Sequence, residues 1–262
     1  MESVYDKDNS SLPVKYSLPV GPDLIYLNEL IGTTIRLEYL NKINCIHCGR
    51  ETRQSFAQGY CYPCFISLPQ TDACILRPEQ CQAHLGISRD MEWSERNCLR
   101  DHFVYLALSP GLKVGVTRES QVPVRWIDQG AREAIKLAVT PNRYTAGTIE
   151  VELKKHMSDK TNWRHMLTGL RTSDVDLVTE KKRVSLLLNE EMQQYIIEDD
   201  EIYTFEYPVE EYPSKIKTLN FDKDSMVEGV LKGIKGQYLI LENGYVLNIR
   251  KFGGYLVDFY YQ

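Results

Sequence analysis

The chain has 262 residues, a formal net charge of −5, and 43% hydrophobic and 26% charged side chains, a balance that fits a packed globular protein and excludes a disordered one. No apolar run approaches the roughly 18–20 residues of a membrane span, and residues 1–11 lack the basic flank and apolar core of a secretory signal; the expectation is a cytoplasmic protein with no membrane partner. Charge is unevenly spread: residues 42–171 hold 18 Lys+Arg against 13 Asp+Glu and the remainder 13 against 23, which permits phosphate contacts in the middle of the chain.

In chain order, residues 1–22 read as an irregular leader punctuated by Pro13, Pro19 and Pro22. Residues 23–41 read as β-strands, with Ile35, Leu37 and Tyr39 alternating after Gly32. Residues 42–102 hold all seven cysteines and little periodicity, as expected where metal ligation replaces an apolar core. A compact α/β region spans 103–172. It opens with a hairpin, "FVYLAL" and "LKVGV" around Ser109-Pro110-Gly111. Pro123 then suits a helix start, and Val124, Ile127, Ala131, Ala134 and Ala138 follow at helical spacing, with Gly130 a weak point. The run "IKLAV" fits a strand equally well. A second helix begins near Ala146, stacking Ile149, Leu153 and Met157.

Residues 173–202 form a predicted helical connector, with an amphipathic helix over 174–196, and 203–262 are β-rich. There Asn243-Gly244 supports a type I′ hairpin, since both positions tolerate positive φ. The fold class is therefore α+β. Its β-rich flanks, 24–40 and the C-terminal region, are expected to pair into one small barrel with the middle inserted.

The strongest motif is "CIHCGRETRQSFAQGYCYPC": two CxxC pairs, Cys45/Cys48 and Cys61/Cys64, separated by twelve residues. Each pair brings two thiolates to one tetrahedral ion at about 2.3 Å, and the spacer is long enough to bring the pairs together. In a reducing compartment such spacing points to structural zinc rather than disulfides. Cys74, Cys81 and Cys98 remain, with His84 and His102 nearby. Three thiols and one imidazole complete a second tetrahedral zinc site, with either histidine as fourth ligand; buried free cysteines are the competing reading.

The stretch "FVYLALSPGLKVGVTRESQVPVRWIDQGA" followed by "AGTIEVELKKH" resembles the core of GIY-YIG endonucleases over roughly residues 103–165. The resemblance sets Phe103-Val104-Tyr105 and Lys113-Val114-Gly115 in the place of the two triplets, Arg125 as the helix arginine and Glu150 as the metal-binding carboxylate. The first triplet lacks its glycine, and Lys113 stands where the second has tyrosine. More of the chain resembles an uncharacterised bacterial family of unknown function, which joins a cysteine-rich, zinc-ribbon-like segment to "KVG-TR…RW-DQGA", "DKTNWR" and "GIKGQYLI…NIRK".

The cysteine spacing and the GIY-YIG resemblance together imply a zinc-binding, nucleic-acid-binding protein that cleaves phosphodiesters with Mg²⁺ or Mn²⁺, acting on DNA or RNA; the uncharacterised family supplies architecture and no activity. Phosphodiester hydrolysis needs a base, positive charge over the developing oxyanions and a metal-holding carboxylate; Tyr105, Arg125 and Glu150 would take these roles in that order. Lys113, Gly115, Thr117, Arg118 and Asn162 would contact substrate. Glu150 is preferred over Glu152, which a helix turns roughly 200° away. Trp126 and Trp163 fit either base stacking or helix packing. The alternative function is a non-catalytic, zinc-stabilised scaffold for RNA or a protein partner.

Overall fold

A computed structural model describes residues 1–170 and 175–262. The predicted boundary at 172/173 and the first residue of the helix expected over 174–196 lie outside the described residues. The chain divides into two compact units: the first comprises Met1–Ile66, Arg164–Leu170 and Phe205–Gln262, the second Ser67–Trp163 and the described residues up to Thr204.

The first unit is mostly β. Residues 1–22, expected to be irregular, instead form β1 (Glu2–Val4) and β2 (Lys15–Val20), which pair antiparallel with each other and with β3 (Asp23–Tyr26). The reason is alternation: Tyr16 and Leu18 are buried on one face of β2. The long strand β4 (Thr34–Asn44) carries Ile35, Leu37 and Ile43 into the core and ends at the first CxxC, beside the short β5 (Glu51–Thr52).

Of the second unit's strands, β6 (His102–Leu108) and β7 (Leu112–Arg118) form the predicted hairpin, and β8 (Glu133–Thr140) and β9 (Ile202–Thr204) complete an antiparallel sheet of order β7-β6-β8-β9. Back in the first unit, β10 (Lys217–Thr218), β11 (Met226–Lys235), β12 (Tyr238–Leu241), β13 (Tyr245–Asn248) and β14 (Tyr255–Tyr261) join β4 in the order β10-β13-β12-β11-β4-β14, with β5 on β4. The flanks therefore do pair, Ile35 opposite Gly229. They do not close into the expected barrel: β10 and β14 end the described sheet without meeting. Asn243 and Gly244 both take positive φ, 57° and 77°, as the type I′ reading requires, but the connection from β12 to β13 is Glu242–Gly244, three residues rather than two.

The helices are short. α1 (Tyr62–Ser67) follows the second CxxC and α2 (Met91–Asn97) begins on an Asp90 cap. α3 (Val124–Asp128) stops before Gly130 at φ 65°, so the long helix through Ala138 does not form and "IKLAV" becomes β8. The physical reason is burial on both faces: Ala134, Ile135, Leu137 and Ala138 are all enclosed where β8 lies between β6 and β9. α4 (Arg143–Lys154) starts on Asn142, whose side chain accepts the Thr145 N–H at 2.9 Å. Its Ala146, Ile149 and Leu153 pack with Val104, Leu106, Leu108 and Val114 of the sheet and Leu177 and Val184 of α6 (Leu177–Ser185).

α5 (Trp163–Leu167) precedes α6, and α7 (Glu190–Gln193) follows it; α6 and α7 are each capped by their own side chain, Asp176 and Asn189, so the predicted connector helix is two pieces. Within the second unit, α4 crosses the Pro78–Gln80 turn so closely that a Cβ on Gly147 would lie 2.2 Å from the Glu79 nitrogen. This close approach fixes the cysteine-rich segment after Ser67 against the α/β core. No helix among the described residues is long and apolar enough to cross a membrane.

Candidate functional site

The Cys45, Cys48, Cys61 and Cys64 sulfurs all lie within 4.8 Å of one another, three of the residues buried and Cys48 exposed. Cys48 and Cys61 are 3.8 Å apart, close to the roughly 3.8 Å edge of a tetrahedron with 2.3 Å metal–sulfur bonds. The local chain is built for this. The Gly49 N–H donates to the Cys45 carbonyl at 2.9 Å, and Gly49 turns back at φ 70°. Burial opposes a Cys45 thiolate, but backbone N–H groups of Cys48, Cys61 and His47 outweigh it and bring the thiol down to about 6. Cys64 is pushed up to about 12 by burial and by the neighbouring sulfurs, so its own proton is retained until a cation displaces it. The second pair flanks the start of α1 rather than a second ribbon hairpin. Four such ligands can hold a metal ion such as zinc and leave it closed.

Cys74, Cys81 and Cys98 form a second cluster, all buried and with sulfurs within 4.8 Å of one another. Hydrogen bonds from Cys74 and Cys81, with the Arg143 guanidinium, hold Cys98 well below the ordinary thiol range. Neither histidine joins this set. His84 stacks on Tyr144 at 4.4 Å. His102 is buried; its Nδ1 lies 2.7 Å from the Arg100 carbonyl, which can only accept, so Nδ1 carries the proton and Nε2 a lone pair. Burial lowers its pKa to about 4, with Arg143 adding to the effect, so the ring is neutral.

A third constellation lies on the β6–β7 hairpin. Tyr105 stands opposite Gly115, and its ring covers the glycine: a Cβ there would lie 2.6 Å from the Tyr105 Oη. The Tyr105 hydroxyl donates to Gln129 Oε1 at 2.9 Å, and the buried Lys113 ammonium donates to the same oxygen and to Thr161 at 2.8 Å. Burial raises the Tyr105 pKa, partly offset by Arg125 at the same hydroxyl, with Glu150 acting in the other direction. Burial, then Arg125, lowers Lys113 to about 7. Glu150 sits on the buried face of α4, and burial raises its pKa against the pull of Lys154. Lys154 bridges Glu150 at 3.0 Å and Asp159 at 3.3 Å. Glu152 turns away and pairs with Lys155.

Tyr105, Lys113, Gly115 and Arg125 thus come together, and Glu150 acts on them through its charge. Gly115 does so as room for the Tyr105 ring rather than as a contact of its own. Thr117 and Arg118 lie at the other end of β7: the Thr117 hydroxyl donates to the Arg118 carbonyl at 3.3 Å and the Arg118 guanidinium to Asn97. Asn162 is exposed, and its neighbour Thr161 makes the Lys113 contact. Trp126 is fully buried, edge-on to Tyr105 at 5.6 Å and to Tyr203 at 5.0 Å; it is a packing residue, not a stacking platform. Sequence reasoning missed Gln129, Thr161, Asp159 and Arg143. Gln129 had a signal, since it follows Arg125 by four positions; Arg143 had none.

Gly115→Ala is expected to cost about 1–3 kcal/mol, because the new methyl drives Tyr105 off Gln129. Urea denaturation at neutral pH reads the loss; an unchanged midpoint would refute the packing role.

The fold and its sites define an α+β protein with two cysteine clusters suited to metal ions. The chain belongs to the family described as "Protein of unknown function (DUF2797)", whose sequence model matches residues 32–257. No curated protein and no solved structure matches the chain. The family description carries no activity, so any reading of chemistry rests on the residues and their geometry.

Proposed function

We propose that the protein binds nucleic acid and cleaves a phosphodiester at the Tyr105–Lys113–Arg125–Glu150 cluster, while the Cys45/Cys48/Cys61/Cys64 site holds a structural zinc. The observation that carries this reading is a buried lysine with pKa about 7 sharing Gln129 with the Tyr105 hydroxyl, both within the electrostatic reach of Arg125 and of the buried Glu150 carboxylate. Lys113 suits the base role better than Tyr105, because its pKa of about 7 matches neutral pH while burial raises that of the Tyr105 hydroxyl. Arg125, half-exposed at the edge of the cluster, suits the phosphate oxygens. Glu150 and Asp159 are the oxygen donors that fit Mg²⁺ or Mn²⁺, an ion that would polarise the phosphate.

Lys154 favours a second reading. Its ammonium lies between Glu150 and Asp159, where a cation would sit. In that reading the cluster is closed, and the protein is a zinc-stabilised module that binds RNA or a protein partner without cleaving.

One experiment addresses both. The purified full chain is assayed for binding and nicking of DNA and RNA, single- and double-stranded, with Mg²⁺ or Mn²⁺. Cleavage that falls about 100-fold or more in Glu150→Gln supports the nuclease. Binding without cleavage, unchanged in Lys154→Met, supports the scaffold. Neither binding nor cleavage overturns the nucleic-acid assignment.

A further inference from the structure

The Cys74/Cys81/Cys98 cluster differs from the first in one respect that matters chemically: it supplies three ligands, not four, among the described residues. The three cysteines also line a cavity of about 320 Å³. Its walls include Gln82, Ser88, Arg89, Trp93 and Ser94. They are held by contacts of their own: Ser88 and Ser94 hydroxyls meet at 2.6 Å, and Arg89 pairs with Asp72 at 3.0 Å. Asp72 in turn accepts the Cys74 N–H at 3.2 Å, which ties the cavity wall to a ligand. Behind the sulfurs, the Arg143 N–H donates to the Cys98 carbonyl at 2.8 Å and its guanidinium to the carbonyls of Cys74 and Asn97. The cluster is therefore braced on one side and open on the other.

We propose that Cys74, Cys81 and Cys98 hold a second zinc ion whose fourth coordination position faces this cavity and takes an exchangeable ligand, with a small thiol as the best-matched occupant. Three protein ligands with an open position are what distinguishes a reactive zinc site from a structural one. Three thiolates already place a net negative charge on the centre and select a soft ion, and a fourth sulfur completes the set that such an ion prefers. In the exchange a Zn–S bond forms, a Zn–O bond to water breaks, and the thiol proton leaves to solvent. No oxidant is needed. The inference stands independently of the phosphodiester reading, since it concerns different residues and a different ligand.

The rival occupant of the fourth position is His102, whose buried Nε2 has no hydrogen-bond partner among the described residues but lies outside the 4.8 Å set. The full chain, purified with a phosphine reductant instead of a thiol, is expected to carry about two zinc ions, falling to about one in Cys81→Ser. After cobalt replacement, titration with 2-mercaptoethanol should shift the visible absorption bands of the wild type and of His102→Ala, and leave Cys81→Ser unresponsive. A wild-type ratio near one overturns the proposal. So does a ratio near two with bands that ignore 2-mercaptoethanol, or loss of the second ion in His102→Ala, which would make the imidazole the closing ligand. The wild-type titration and His102→Ala decide the matter even if Cys81→Ser does not fold.

Discussion

Cys61→Ser is expected to remove one zinc ion per chain and to destabilise the first unit by about 4–5 kcal/mol or more, the range reserved for loss of a metal or a core. The buried sulfur of Cys61 belongs to a set of four within 4.8 Å. Structural zinc in small domains supplies on the order of 10–16 kcal/mol of apparent binding energy, which is also folding energy. Here part of the unit survives on its own core, because Ile35, Leu37, Leu231, Leu239 and Leu247 are buried without reference to the metal. The segment that loses its organising centre is the one between β4 and α1, including Gly59, where a Cβ would lie 2.7 Å from Ile46. Metal content and urea denaturation of wild type, Cys61→Ser and chelator-treated protein measure the effect. Equal zinc content and an unshifted midpoint in the variant would exclude a metal at this cluster.

Lys113 is expected to make the stability of the protein rise with pH from about 7 towards 10. Burial holds its pKa near 7 in the folded chain, against an ordinary value of 10.5. Between those values the unfolded chain binds a proton that the folded chain does not, so raising the pH removes an advantage of the unfolded state. A tenfold difference in proton affinity between the two states is worth about 1.4 kcal/mol, and the whole effect is on the order of a few kcal/mol. Below about pH 7 both states hold the proton and this contribution no longer changes. Urea midpoints across pH 6–9 should climb in the wild type and climb less in Lys113→Met. The same titration would place an acid limb near pH 7 on any cleavage rate, absent in Lys113→Met. Parallel stability curves for the two proteins would refute a displaced lysine.

Gln129 and Thr161 show why a site can be half legible. Tyr105, Lys113, Arg125 and Glu150 are singled out by a resemblance whose motifs ride on a strand, its hairpin partner and two helices. Gln129 and Thr161 lie in connections, and only the packed chain brings them to one ammonium. The reverse holds for Arg118. Its place directly after Gly115-Val116-Thr117 suggests the same site, yet β7 carries it to Asn97 at the far end of the strand. Distance along a strand, at about 3.3 Å per residue, separates what sequence adjacency joins.

The four-cysteine set, the β6–β7 hairpin, the Asn243-Gly244 turn and the Ile149–Leu153 stripe of α4 were readable from the amino-acid order alone, because each depends on spacing or on local backbone preference; the start of α4, expected near Ala146, lies instead at Arg143 behind the Asn142 cap. Packing settled what depends on partners distant in the chain. It made β8 a strand, since a segment between two strands is buried on both faces. It left the β4–β11 sheet open instead of a barrel, since β10 and β14 do not pair. It also left His84 and His102 out of the second cysteine cluster: sequence proximity offers a ligand, but only the fold decides which way the imidazole points.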